Sequence, residues 1–153
     1  KVRNIDLVMK TRRRPKKSVG RVHKRLCGKS ISDRPESIDE RQEFGHWEMD
    51  TVSGKRSADQ PLLTLTERKT RHRLILPLTI KNAEAVEEAL KQLQSQYGSL
   101  FPHLFKSITA TNGTEFTNLS NHGIEVYYAH PYSAWERATN ECHDGLIRRF
   151  TLT

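Results

Sequence analysis

From Gly45 onward the apolar and polar positions fall into regular periods. In HWEMDTVSGK, residues Trp47, Met49 and Thr51 alternate with Glu48, Asp50 and Val52. That is the period of a strand, and the Ser53-Gly54 pair is a turn that ends it. PLLTLTERKT and RHRLILPLTI follow as two more strands, and the short polar link between them predicts an antiparallel meander. In NAEAVEEALKQLQSQYG the period changes, because Val86, Leu90, Leu93 and Tyr97 share one helical stripe between Asn82 as N-cap and Gly98 as C-terminal stop. FKSITATNG and GIEVYYAH return to strand character, joined by a polar segment with a helical turn near Phe116 to Leu119. PYSAWERATNECHDGLIRRF closes the series with Ser133 and Glu136 in capping-box positions and Trp135, Ala138, Cys142, Leu146 and Phe150 at helical spacing.

The order β-β-β-α-β-(α)-β-α predicts an α/β domain, with a mixed five-stranded sheet flanked by helices. A ribonuclease-H-like fold has this arrangement, and it gathers carboxylates from the first strand, the end of the fourth strand and the last helix at one edge of the sheet. The first strand offers Asp50. The last helix offers Glu141, whose neighbours on the same face are Ala134, Ala138, Gly145 and Arg148; small neighbours there let a phosphate backbone approach. Carboxylates gathered in this way hold Mg²⁺ or Mn²⁺, and a pair of such ions about 3.5–4 Å apart stabilises both oxygens of an in-line phosphoryl displacement. At the end of the fourth strand, however, stands Thr111, a neutral hydroxyl. As an isolated feature, Asp50 also fits a solvated edge residue, and Glu141 an ordinary exposed glutamate.

Composition changes the picture chiefly at the N-terminus. Hydrophobic residues make up 35% of the chain and charged ones 29%, so part of it is expected outside any core. Residues 1–40 hold 13 Lys and Arg against 5 Asp and Glu, and residues 41–153 hold 13 against 13, so the net charge of +8 belongs to the first forty. KTRRRPKKSVGRVHKRLCGK shows no helical or strand period. Residues 1–43 therefore read as a basic arm and linker, the tail of a missing DNA-binding region, ahead of a core over 44–153. A basic arm on a neutral domain is the footprint of a nucleic-acid binder, or more blandly a solvated tail. Two cysteines without a C-x-x-C pair and seven histidines without ligand spacing argue against disulfides and zinc. With no membrane-spanning run and no signal peptide, a cytoplasmic, nucleoid-associated protein is expected.

FGHWEMDTVSGKR, LTERKTRHRL, SITATNGTEF and YYAHPYSAWERATNECHDGLIRRF, in this order, resemble the catalytic domain of bacterial transposases of the insertion-sequence-thirty family, within the DDE transposase and retroviral integrase superfamily. The likeness covers residues 44 to 150. It implies a ribonuclease-H-like fold, a divalent metal, and cleavage and transfer of DNA strands at the ends of a mobile element. Residue by residue, it places the first catalytic Asp at Asp50 of Trp47-Glu48-Met49-Asp50. It places the catalytic Glu at Glu141 of Thr139-Asn140-Glu141-Cys142. The second Asp of the family comes immediately before Asn-Gly-(Thr/Ser)-Glu-Phe, which is Thr111 here.

The expectation is thus a transposase catalytic core, C-terminally truncated and impaired because Thr111 withholds one metal-bridging carboxylate. Asp50 and Glu141 would be its metal ligands. Rescue by Glu48 or Glu115 is disfavoured, since two-metal geometry tolerates little displacement. Arg12, Arg13, Arg14, Lys16 and Lys17 of the arm, Lys69 in the meander turn and Arg148 and Arg149 on the last helix are the candidate DNA contacts, the latter three beside the active edge. DNA is the expected partner, with a homo-oligomer as a further one and no membrane. The competing readings are a non-catalytic DNA-binding or dimerisation remnant and a nuclease of the same fold.

Overall fold

The computed structural model describes residues 27–53 and 59–130. Six strands make one sheet: β1 (Lys29–Ser30), β2 (His46–Val52), β3 (Leu62–Glu67), β4 (Arg73–Pro77), β5 (Ser107–Ala110) and β6 (Glu125–Tyr128). Their order across the sheet is β1-β6-β5-β2-β3-β4. The meander pairs β2 with β3 and β3 with β4 antiparallel, while β2–β5, β5–β6 and β1–β6 are parallel. The sheet is therefore mixed, as the element order predicts.

Between β4 and β5 run α2 (Ala83–Tyr97) and the short α3 (Phe101–Leu104); α1 (Glu36–Asp39) precedes β2. Asn82 caps α2 by accepting the Ala85 N–H at 2.9 Å, and Gly98 ends it at φ +51, where a β-carbon would be strained. The inward stripe of α2, Val86, Ala89, Leu90 and Leu93, packs with Trp47, Met49, Leu63, Leu65, Ile108, Ala110, Val126 and Tyr128 of the strands. Burying each large apolar side chain contributes about 1.5–3 kcal/mol. That packing makes the α2 face the apolar side of the sheet.

Three features differ from the sequence-based expectation. The sheet has six strands rather than five, because Lys29–Ser30 pairs in parallel with Tyr127–Tyr128, and a two-residue strand is too short to show a period. The segment expected to be a linker is also packed onto the sheet: Ile38 is buried, and Ser30 and Asp33 form a capping box around the turn Ile31–Asp33. The single turn expected near Phe116 is two 3₁₀ turns, Thr114–Phe116 and Leu119–His122. The basic arm over residues 1–26 and the expected last helix over 131–150 lie outside the described residues.

Candidate active site

The strand register sets the geometry of the site. Met49 lies opposite Ala110 in the parallel β2–β5 pair, and both side chains belong to the core on the α2 side. One position beyond this last registered pair, Asp50 and Thr111 are the next residues on two adjacent strands, which lie about 4.8 Å apart, and Asp50 takes the strand face opposite Met49. Asp50 Oδ1 accepts the Thr51 N–H at 2.8 Å. The position read from the sequence as lacking an acid is therefore the one adjoining Asp50, and both are partly exposed.

The nearby carboxylates are engaged elsewhere. Glu48 shares the face of Asp50, but it is buried and its Oε1 accepts from Arg68 Nη1 at 2.5 Å. Arg68 in turn donates to Asp39 at 3.2 Å and to the Ile38 carbonyl at 3.3 Å, while Arg34 binds Asp39 and donates to Thr109. Two arginines and two carboxylates thus form a charge-balanced cluster under the linker segment. Burial, and then the Arg34 charge, lower the pKa of Arg68, with Glu48 and Asp39 opposing them; a guanidinium stays charged regardless.

Glu115 lies on the other side. Its Oε1 accepts from the Thr51 hydroxyl at 3.0 Å and pairs with Lys81 Nζ at 3.1 Å, and Thr51 belongs to the strand face opposite Asp50. Burial alone would raise the Glu115 pKa, but its own backbone N–H, Lys81 and the Thr51 hydroxyl together hold it below the usual range. Asn112 is also turned away, its buried side-chain oxygen accepting the Cys27 N–H at 2.9 Å. Gly113 has φ −82, so the turn makes no left-handed demand. What it needs is room, since a β-carbon there would lie 2.4 Å from Glu115 Oε2.

Among the described residues no group of three or more His, Cys, Asp or Glu side chains could hold a metal ion. One carboxylate beside one hydroxyl does not fit a pair of divalent cations, which are bound and bridged through carboxylate oxygens. Glu141, the other expected ligand, lies outside the described residues, as do Arg12, Arg13, Arg14, Lys16, Lys17, Arg148 and Arg149.

Lys69 is exposed in the β3–β4 turn, but it does not sit beside Asp50 as expected. The neighbouring Arg68 N–H bonds the His46 carbonyl, at the start of β2, and Asp50 is four residues further on, about 13 Å at 3.3 Å per residue. The antiparallel meander carries this turn to the opposite end of the sheet. Arg68, its neighbour in the chain, is buried in its ion pair with Glu48. Sequence reading did not connect Glu48 to Arg68 or Thr51 to Glu115; the only local signal was strand parity, which puts Glu48 and Asp50 on one face and Thr51 on the other.

No family model matches the chain. It is 44% identical, over 151 residues, to the probable transposase for insertion-like sequence element IS1161 of Streptococcus salivarius, covering 97% of this chain and 42% of that protein. It is 38% identical, over 130 residues, to transposase InsI for insertion sequence element IS30A of Escherichia coli strain K12, covering 80% of this chain and 32% of that protein. With the transposase for insertion sequence element IS4351 of Bacteroides fragilis the identity is 34% over 128 residues, 78% of this chain and 36% of that protein. The chain thus spans less than half the length of the curated relatives it matches. In three dimensions it is similar to the catalytic core domain of BIV integrase, with a TM-score of 0.54 at 17% identity over 70% of this chain and 68% of that one, which supports the ribonuclease-H-like fold. With insertion-sequence transposases matching along nearly its whole length, the chain is similar to transposases of the insertion-sequence-thirty group and has the fold of an integrase catalytic core.

Proposed function

We propose that the chain is the catalytic-core portion of a transposase, which cleaves DNA strands at the ends of a mobile element and joins them to a target, and that Thr111 impairs this activity. The transposase relatives and the integrase-type fold support the role in transposition and DNA integration. The observation that supports the impairment is the strand register, whose last pair, Met49 with Ala110, leaves Asp50 and Thr111 as the next residues on adjacent strands. In this reading Asp50 and Glu141 are the ligands of a single Mg²⁺ or Mn²⁺. Such an ion, when bound, supplies Lewis-acid stabilisation of phosphoryl oxygens. Asp50 keeps its orientation through the Thr51 N–H.

The test is incubation of the purified chain with element-end duplex DNA and Mg²⁺ or Mn²⁺. The unaltered chain is expected to neither nick nor join the duplex, and Thr111→Asp to restore activity. Robust strand transfer by the unaltered chain, abolished by Asp50→Ala, overturns the impairment.

A second reading, a non-catalytic DNA-binding remnant, is favoured by the confinement of the net charge to residues 1–40. Arg12, Arg13, Arg14, Lys16 and Lys17 would then do most of the DNA binding, with Lys69, Arg148 and Arg149 adding phosphate contacts. It predicts salt-sensitive binding that survives loss of Asp50 and Glu141 and disappears when residues 10 to 29 are deleted. Assembly into a homo-oligomer belongs to the first reading, since strand transfer joins two ends. Among the described residues no helix is long and apolar enough to cross a membrane.

A further inference from the structure

The residue after Asp50 and the loop after position 111 are tied together on the back of the sheet. Thr51 makes two contacts: its N–H donates to Asp50 Oδ1 at 2.8 Å, on the open face, and its hydroxyl donates to Glu115 Oε1 at 3.0 Å, on the α2 face. Glu115 is buried, lies four residues beyond Thr111 and is anchored a second time by Lys81, just ahead of α2, at 3.1 Å. Its carboxylate lies so close to Gly113 that a β-carbon there would be 2.4 Å from Oε2. The loop after β5 therefore closes over its own glutamate. The far side of the loop is tied by Asn112 to the Cys27 N–H.

We propose that Glu115 and Thr51 are positioning residues, a clamp that fixes the loop carrying position 111 against β2 and so sets the spacing between that position and Asp50. The proposal rests on the reading of Asp50 and position 111 as an acid site. Neither residue faces the DNA or a metal. Glu115 acts through the Thr51 hydroxyl, and Thr51 acts on Asp50 through its backbone. The invariant requirement of the arrangement is an acceptor at 115, a hydroxyl at 51 and no β-carbon at 113. It also accounts for the failure of Glu115 to replace the missing acid, because its carboxylate is spent on the opposite face.

The experiment uses the full chain and the Thr111→Asp chain, each carrying Glu115→Ala, Thr51→Val or the conservative Thr51→Ser. Amide hydrogen exchange is read at residues 111–116 against β3 as an internal standard, and Mn²⁺ affinity is read by calorimetry on the Thr111→Asp background. Glu115→Ala and Thr51→Val are expected to speed exchange at 111–116 about tenfold relative to β3 and to weaken Mn²⁺ about tenfold, with Thr51→Ser close to its parent in both. If the two disruptive variants leave 111–116 unchanged relative to β3, or speed both alike, the clamp is refuted. Should Glu115→Ala not fold, the Thr51→Val and Thr51→Ser pair decides on the same criterion. If Thr111→Asp binds no Mn²⁺ at all, the acid-site reading fails, and the exchange comparison still judges the clamp by itself.

Discussion

Replacing Arg68 with Met should leave a carboxylate stranded inside the fold. Arg68 is only 4% exposed and donates to Glu48 at 2.5 Å, Asp39 at 3.2 Å and the Ile38 carbonyl at 3.3 Å. Met keeps the length of the side chain and removes every one of these donors. Breaking a buried pair from one side costs about 3–5 kcal/mol. Arg34, bonded to Asp39 in the same cluster, holds the total toward the low end. Urea unfolding at pH 7 should therefore give a loss of about 3 kcal/mol. Glu48→Met combined with Arg68→Met should recover most of it, since an apolar pair of similar volume often replaces a buried ion pair at no cost. A loss below about 1 kcal/mol would refute the reasoning.

Three further outcomes are expected. Tyr128 donates its hydroxyl to the buried Phe116 carbonyl at 2.7 Å, so Tyr128→Phe should cost about 1–3 kcal/mol in urea unfolding; burial also pushes the Tyr128 phenol up to about 12, so the wild-type advantage should hold below pH 10 and fade as pH rises through that value. Gly113→Ala should cost about 1–3 kcal/mol by overpacking against Glu115 although the φ of −82 suits alanine, and no loss in a thermal melt would contradict the contact. Because the Glu115 pKa is held low in the fold, its contribution is present above the ordinary glutamate value and lost as pH falls through the folded one. An acid titration of stability should therefore be flatter for Glu115→Gln than for the wild type, and identical curves would argue against the Lys81 and Thr51 contacts.

Much of the fold could be read locally. The period of two in β2 and the period of 3.6 in α2, with Asn82 and Gly98 at its ends, are properties of neighbouring residues, and the strand and the helix they predict both form. β1 escaped because two residues make no pattern; what holds it is pairing with β6, about a hundred positions away in the chain. Lys69 was assigned to the wrong end of the sheet because strand periodicity says which face a residue takes but not which end of the sheet a turn reaches.

By itself the amino-acid sequence determined that the chain alternates strands and a capped helix, that its charge is concentrated in the first forty residues, and that a hydroxyl stands where the family's motif carries an acid. Tertiary structure decided what surrounds that position. Only the parallel register of β2 and β5 brings position 111 beside Asp50, and only the folded sheet commits Glu48 to Arg68 and Glu115 to Thr51 and Lys81. Periodicity is encoded in steps of two to four residues, whereas these contacts join positions 20 to 64 residues apart and exist only once the strands have paired.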